Sequence, residues 1–76
     1  ADTIVKYHNT EVVRFNAKRI VLNTGGFDTA TTRRRMNQAS NQFDLGYSVY
    51  TKKGDTLVDF DGLTIRFTGN VLELER

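Results

Sequence analysis

Apolar residues reach this chain in short β-branched and aromatic runs, each ended by a polar break rich in Gly, Asn, Asp or Lys, and only one segment departs from that rhythm. Such spacing favours hairpins over long helices, because two apolar runs joined by a short polar break pair with each other. Ile4, Val5 and Tyr7 make a first strand, and His8-Asn9-Thr10 a turn. Val12, Val13 and Phe15 run out, Asn16-Ala17-Lys18 turns, and Ile20, Val21 and Leu22 return. The second half repeats the scheme. Tyr47-Ser48-Val49-Tyr50 is followed by the turn Lys52-Lys53-Gly54-Asp55, and Thr56 to Phe60 come back. Asp61-Gly62 is a strong short hairpin signal. Leu63, Ile65 and Phe67 then alternate with Thr64, Arg66 and Thr68, the mark of a half-buried strand. Thr68-Gly69-Asn70 turns the chain once more into Val71-Leu72-Glu73-Leu74.

The departing segment follows Asn23-Thr24-Gly25-Gly26, with Phe27 as a candidate anchor for the loop. The stretch TTRRRMNQASNQF holds neither Gly nor Pro. Asp28, Thr29, Thr31 or Thr32 can cap its N-terminus. Thr32, Met36, Ala39 and Phe43 fall on one face of a helix and form the stripe expected to pack on the sheet. Gly46, after Leu45, is a candidate C-cap. The order is βββαββββ. The expected fold is a single α+β domain over residues 1–76, a curled antiparallel β-sheet of hairpins with one α-helix packed on it.

At 76 residues the chain has a thin core, and with no Cys it has no disulfide to reinforce it. Small domains without such staples often associate, so a homo-oligomer is one expectation. A single His8 cannot anchor a metal alone, and no cofactor motif is present. There is no nucleophile elbow, and Asp59 and Asp61 serve a turn more naturally than a carboxylate pair. Enzyme chemistry is therefore not expected. No apolar stretch is long enough for a membrane span, and no secretory leader pattern opens the chain. The expectation is a cytoplasmic protein.

Charge is unevenly spread. Net charge is +2, yet residues 1–54 carry +5 and residues 55–76 carry −3. Arg33, Arg34 and Arg35 fan around the helix at about 100° per residue, so all three cannot meet one ligand. A pair of them, with Arg19 from the preceding hairpin and Lys52 and Lys53 from a later turn, could hold nucleic-acid phosphates. The plain alternative is a solvated helix face. Gly25, Gly26 and Thr29 lead into the helix N-terminus, where free N–H groups can hold an anion. The same residues also suit an ordinary strand-to-helix turn with a threonine cap. Asn37, Gln38, Asn41 and Gln42 have the amides that read adenine edges, but no helix-turn-helix pattern surrounds them. Among the strand aromatics Tyr7, Phe15, Tyr47, Tyr50, Phe60 and Phe67, Tyr50 beside two lysines is the best candidate for base stacking.

One stretch has a family look. Gly25, Gly26 and Phe27 precede a Thr-rich, Arg-containing helix with Thr29, Thr31, Thr32, Arg33, Arg35, Met36 and Asn37. Asn41-Gln42-Phe43, the strand residues Tyr47, Val49 and Tyr50, and a lysine-rich turn follow. This pattern, over residues 25–58, resembles small accessory proteins of tailed bacteriophages. Members often carry Trp where Phe27 and Leu57 stand here, and this chain has no Trp. The resemblance implies a phage-borne protein working in the bacterial host cytoplasm, and attaches no activity to it. Two functions fit these observations. One is a binding module that contacts nucleic acid through the arginine-rich helix. The other is a protein-interaction module, either an inhibitor of a host enzyme or defence protein or a small virion component.

Overall fold

A computed structural model describes residues 2–26 and 28–76; Phe27, and with it the expected loop anchor, lies outside the described residues. The chain opens with β1 (Thr3–Tyr7), β2 (Thr10–Phe15) and β3 (Arg19–Asn23), continues into α1 (Ala30–Phe43), and then forms β4 (Tyr47–Lys52), β5 (Asp55–Phe60), β6 (Leu63–Arg66) and β7 (Val71–Glu75). The α+β class and the order agree with the sequence. The strands form two antiparallel sheets, one ordered β1-β2-β3-β7 and the other β4-β5-β6.

Turn chemistry explains the hairpins. The β2–β3 turn needs no glycine because the Asn16 side-chain oxygen accepts from the N–H groups of Lys18 and Arg19, at 2.8 and 3.0 Å. The β4–β5 and β5–β6 turns are pairs with positive φ at both residues: Lys53 and Gly54 (52° and 83°), then Asp61 and Gly62 (52° and 77°). That geometry matches the right-handed twist of the strands it joins.

Val12 and Val13 are both buried, which strict alternation forbids. A shift of register between Val5 and Lys6 resolves the conflict: Val5 faces Val13 while Lys6 faces Glu11, so Val12 is an extra residue. Ile20 and Leu22 of β3 lie opposite Leu74 and Leu72 of β7. Met36 of the helix and Val58 of β5 complete a core in which Val12, Val13, Ile20, Leu22, Met36 and Val58 are sealed from solvent.

Thr29 caps the helix, accepting from the Thr32 N–H at 3.2 Å. Its C-cap is Asp44, not Gly46. Asp44 takes the left-handed conformation at φ 53°, and the N–H groups of Asp44 and Leu45 both reach back to the Ser40 carbonyl. The buried face reads Thr32, Met36, Ala39 and Ser40. Phe43 is at the rim of that face, 37% exposed, with its ring tilted against Phe15 at 5.1 Å. It is the last helical residue, and Ser40 turns inward in its place because a backbone strand needs the hydroxyl.

Candidate functional site

The helix lies beside β4, the edge strand of the three-stranded sheet, and two of its side chains act as that strand's missing neighbour. Ser40 donates its hydroxyl to the Tyr47 carbonyl at 2.7 Å and accepts from the Tyr47 N–H at 3.1 Å. One turn earlier, Asn37 donates to the Val49 carbonyl at 2.8 Å and accepts from the Val49 N–H at 2.7 Å. The spacing of three along the helix thus matches the spacing of two along the strand. Asn37, whose amide suited base reading in the sequence, is committed to this seam. Tyr47 adds a third tie, its buried hydroxyl donating to the Met36 carbonyl at 2.6 Å. Burial pushes that phenol well above its usual range.

Beyond the seam the helix and β4 leave an open groove of about 520 Å³. Arg33, Arg34 and Asn41 form its helical wall, with Tyr50 and Thr51 on the strand side. Arg33 is 19% exposed and held by Asp28, with 2.6 Å between guanidinium and carboxylate. The other oxygen of Asp28 accepts from the Thr56 hydroxyl at 2.5 Å, so this chain of contacts ties the helix entrance to β5. Arg34 is exposed and has no side-chain partner among the described residues. Lys52 and Lys53, also exposed, continue from Thr51 into the turn. The Tyr50 hydroxyl donates to Asp59 at 2.9 Å, and that bond raises the Tyr50 pKa.

The remaining basic residues lie elsewhere. Arg35 points away from the groove, stacked 5.4 Å from the Tyr7 ring centre and bonded to Gln38. Arg19 is on the four-stranded sheet, paired with Glu73 at 3.0 Å. The structure therefore brings Arg33 and Arg34 to one groove and places Lys52 and Lys53 at its end, but leaves Arg19 and Arg35 outside it.

The glycine loop is self-contained. The Gly25 N–H donates to Asn23 at 2.8 Å and the Gly26 N–H to Thr24 at 3.3 Å, so the two amides offered to an anion are occupied. The hydroxyls of Thr29 and Thr32 bond each other, and that of Thr24 donates to Asn70. A cavity of about 250 Å³ beside this loop is mainly apolar, walled by Tyr7, Val12 and threonine side chains. Asp59 and Asp61 do not converge: Asp59 accepts from Tyr50 and Thr64, and Asp61 sits in its turn.

A family model described as Kyanoviridae Gp96 protein matches residues 1–73, nearly the whole chain. The chain belongs to that family. Kyanoviridae are phages, so the family agrees with the phage character of the Thr- and Arg-rich segment. No curated protein and no solved structure matches the chain. In this Gp96-family chain the seam of Ser40 and Asn37 is the feature that sequence reading missed. The signal was there: two polar residues three apart, beside a buried stripe, with no charge to hold them at the surface. No described helix is long and apolar enough to cross a membrane.

Proposed function

We propose that this Gp96-family chain is a non-enzymatic accessory binding protein of a phage, and that it contacts a nucleic-acid backbone along the α1–β4 groove. The observation that supports this reading is Arg34 on the groove wall, without a side-chain partner among the described residues and in line with the exposed Lys52 and Lys53. Arg34 takes a phosphate in a forked contact, and the two lysines supply point charges further along the strand. Arg33, fixed by Asp28, adds field more than a contact. Asn41 and the Tyr50 ring flank the track and tolerate any sequence.

The test is fluorescence anisotropy of labelled single- and double-stranded oligonucleotides at low and moderate salt. Replacing Arg34, Lys52 and Lys53 by Ala together is expected to weaken binding on every sequence. It should also flatten the salt dependence by roughly two to three in log–log slope, one counterion per lost phosphate contact. Arg19→Ala, on the other sheet, should bind like the wild type. Undiminished binding by the triple variant, or none by the wild type at low salt, rules the groove out.

A second reading, an interaction module for a host enzyme, a defence protein or the virion, is favoured by two exposed apolar side chains at strand edges, Leu63 and Val71. Its sign would be a complex that withstands salt, since apolar anchors release no counterions.

A further inference from the structure

The cavity between the β1–β2 hairpin and the start of the helix shares no residue with the basic groove, and its walls have a chemistry of their own. Val12, Thr24 and Thr32 form its floor, each no more than 5% exposed. His8 and Thr29, both exposed, mark its mouth. The space is therefore sealed at one end and open to solvent at the other.

Among the described residues no carboxylate, ammonium or guanidinium lines it. An ion entering it would give up its hydration without gaining a partner, which is costly. The threonine hydroxyls near the helix are spent: Thr29 and Thr32 bond each other, and Thr24 bonds Asn70. On the hairpin side, the hydroxyls of Tyr7 and Thr10 and the imidazole of His8 have no hydrogen-bond partner among the described residues. Apolar walls with a few polar groups gathered on one side are the make-up of a small-molecule site. Size narrows the choice. A dry cavity of about 150 Å³ takes a single benzene ring, so 250 Å³ has room for two fused rings.

His8 adds a further sign. Its φ of 56° is one that glycine adopts at least cost, yet the position carries an imidazole. That ring tilts against Tyr7 at 4.3 Å, and Arg35 stacks on the same Tyr7. The hairpin wall is thus braced before any ligand arrives, which lowers the ordering cost of binding.

We propose that this cavity binds an uncharged bicyclic heteroaromatic molecule, of the size and chemistry of indole or a purine base. Its rings lie over Val12 and the threonines, and its ring nitrogens turn toward Thr10, Tyr7 and His8. A plain hydrocarbon would cover those polar groups without pairing them, and an anion would meet no cation.

Amide NMR spectra of the whole chain, titrated with indole, with adenine and with benzoate, test the site. Indole and adenine are expected to give saturable shifts centred on Tyr7, Thr10, Val12, Thr24 and Thr32, with Kd of roughly 10 μM to 1 mM, the range open to ligands this small. Benzoate should shift none of them. His8→Gly suits the backbone and removes the mouth ring, so it should fold as before and weaken both ligands roughly threefold or more. Thr10→Val keeps the wall's shape without its hydroxyl and should weaken them roughly threefold to tenfold. Arg34→Ala, on the groove, should bind like the wild type. The proposal is overturned if neither indole nor adenine gives a saturable shift, if benzoate binds as tightly as they do, or if both cavity variants bind unchanged. None of these results bears on the basic groove, whose reading rests on oligonucleotide binding.

Discussion

Asn37→Ala isolates the seam between helix and sheet. The substitution deletes two hydrogen bonds, of 2.8 and 2.7 Å, to one backbone residue, Val49. A typical bond contributes about 0.5–1.5 kcal/mol net, and a stranded backbone group costs a further share where water cannot reach it. Val49 is buried and Asn37 half-buried, so the expected loss is about 2 kcal/mol. Ala also favours the helix over Asn by up to about 0.7 kcal/mol, which masks part of that loss. Asn41→Ala, one turn on and exposed, carries the same propensity gain without the bonds. The difference between the two variants therefore reports the seam. Urea denaturation should separate them by about 2 kcal/mol, and melting by roughly 8–16 °C at this chain length. Asn37→Asp retains an acceptor for the Val49 N–H but sets an oxygen against the Val49 carbonyl, and should be no better than Ala. Equal stability of the position-37 and position-41 alanine variants would refute the reasoning, because the two Asn37–Val49 bonds would then add nothing to the hold on the helix.

Other expectations concern the core and the turns. Gly25→Ala should destabilise by more than Gly62→Ala in denaturant: both sit at positive φ, but only at Gly25 does a Cβ meet another side chain, at 2.6 Å from the Thr10 hydroxyl. Thr10→Ala in the same chain should recover part of that deficit, and no recovery would show that φ alone sets it. Met36→Asp places a charge at a sealed position and should leave the chain unfolded by circular dichroism, a cost of several kcal/mol, about what an uncompensated buried charge implies. Tyr47→Phe removes the bond to the Met36 carbonyl and should cost about 1 kcal/mol at neutral pH. Because burial raises the Tyr47 pKa, the native state keeps its proton while the unfolded chain loses it near about pH 10. Its contribution is thus complete below that pH and falls as the pH climbs above it, and the Phe variant should show a shallower alkaline loss of stability.

The turns were legible because their chemistry is local. Asp61-Gly62 adopts the positive φ pair that its residue types favour, Gly54 carries Lys53 into the same pair, and Asn16 supplies its own turn bonds. The single helix was legible for the same reason. The division into two sheets was not, because β3 pairs with β7 across most of the chain and no local pattern encodes that choice. Gly46 attracted the C-cap by residue type, while the stop is set by Ser40, whose carbonyl and hydroxyl are both engaged. At the groove, the arginines were plain in the sequence but their partners were not. Glu73 neutralises Arg19 from a distant strand, and Arg35 turns to Tyr7. Charge is readable along a chain, whereas which arginines find partners, and that Arg34 has none among the described residues, is a property of the folded surface.

The two sheets also differ in how their strands come together in time. β4, β5 and β6 join through tight turns, so their contacts close over short stretches of chain. The β3–β7 ladder, by contrast, is anchored by a contact between Thr24 and Asn70, 46 positions apart. Closing that loop costs entropy that local hairpins do not face, which places it late on the folding path. Substitutions at Leu74 or Leu72 should therefore speed unfolding and leave the folding rate nearly unchanged, giving φ-values near zero, whereas substitutions at Val49 or Val58 should slow folding itself. Until β7 docks, Ile20 and Leu22 lack one neighbour, and the half-built sheet is the stage at which this chain is most open to capture by another strand.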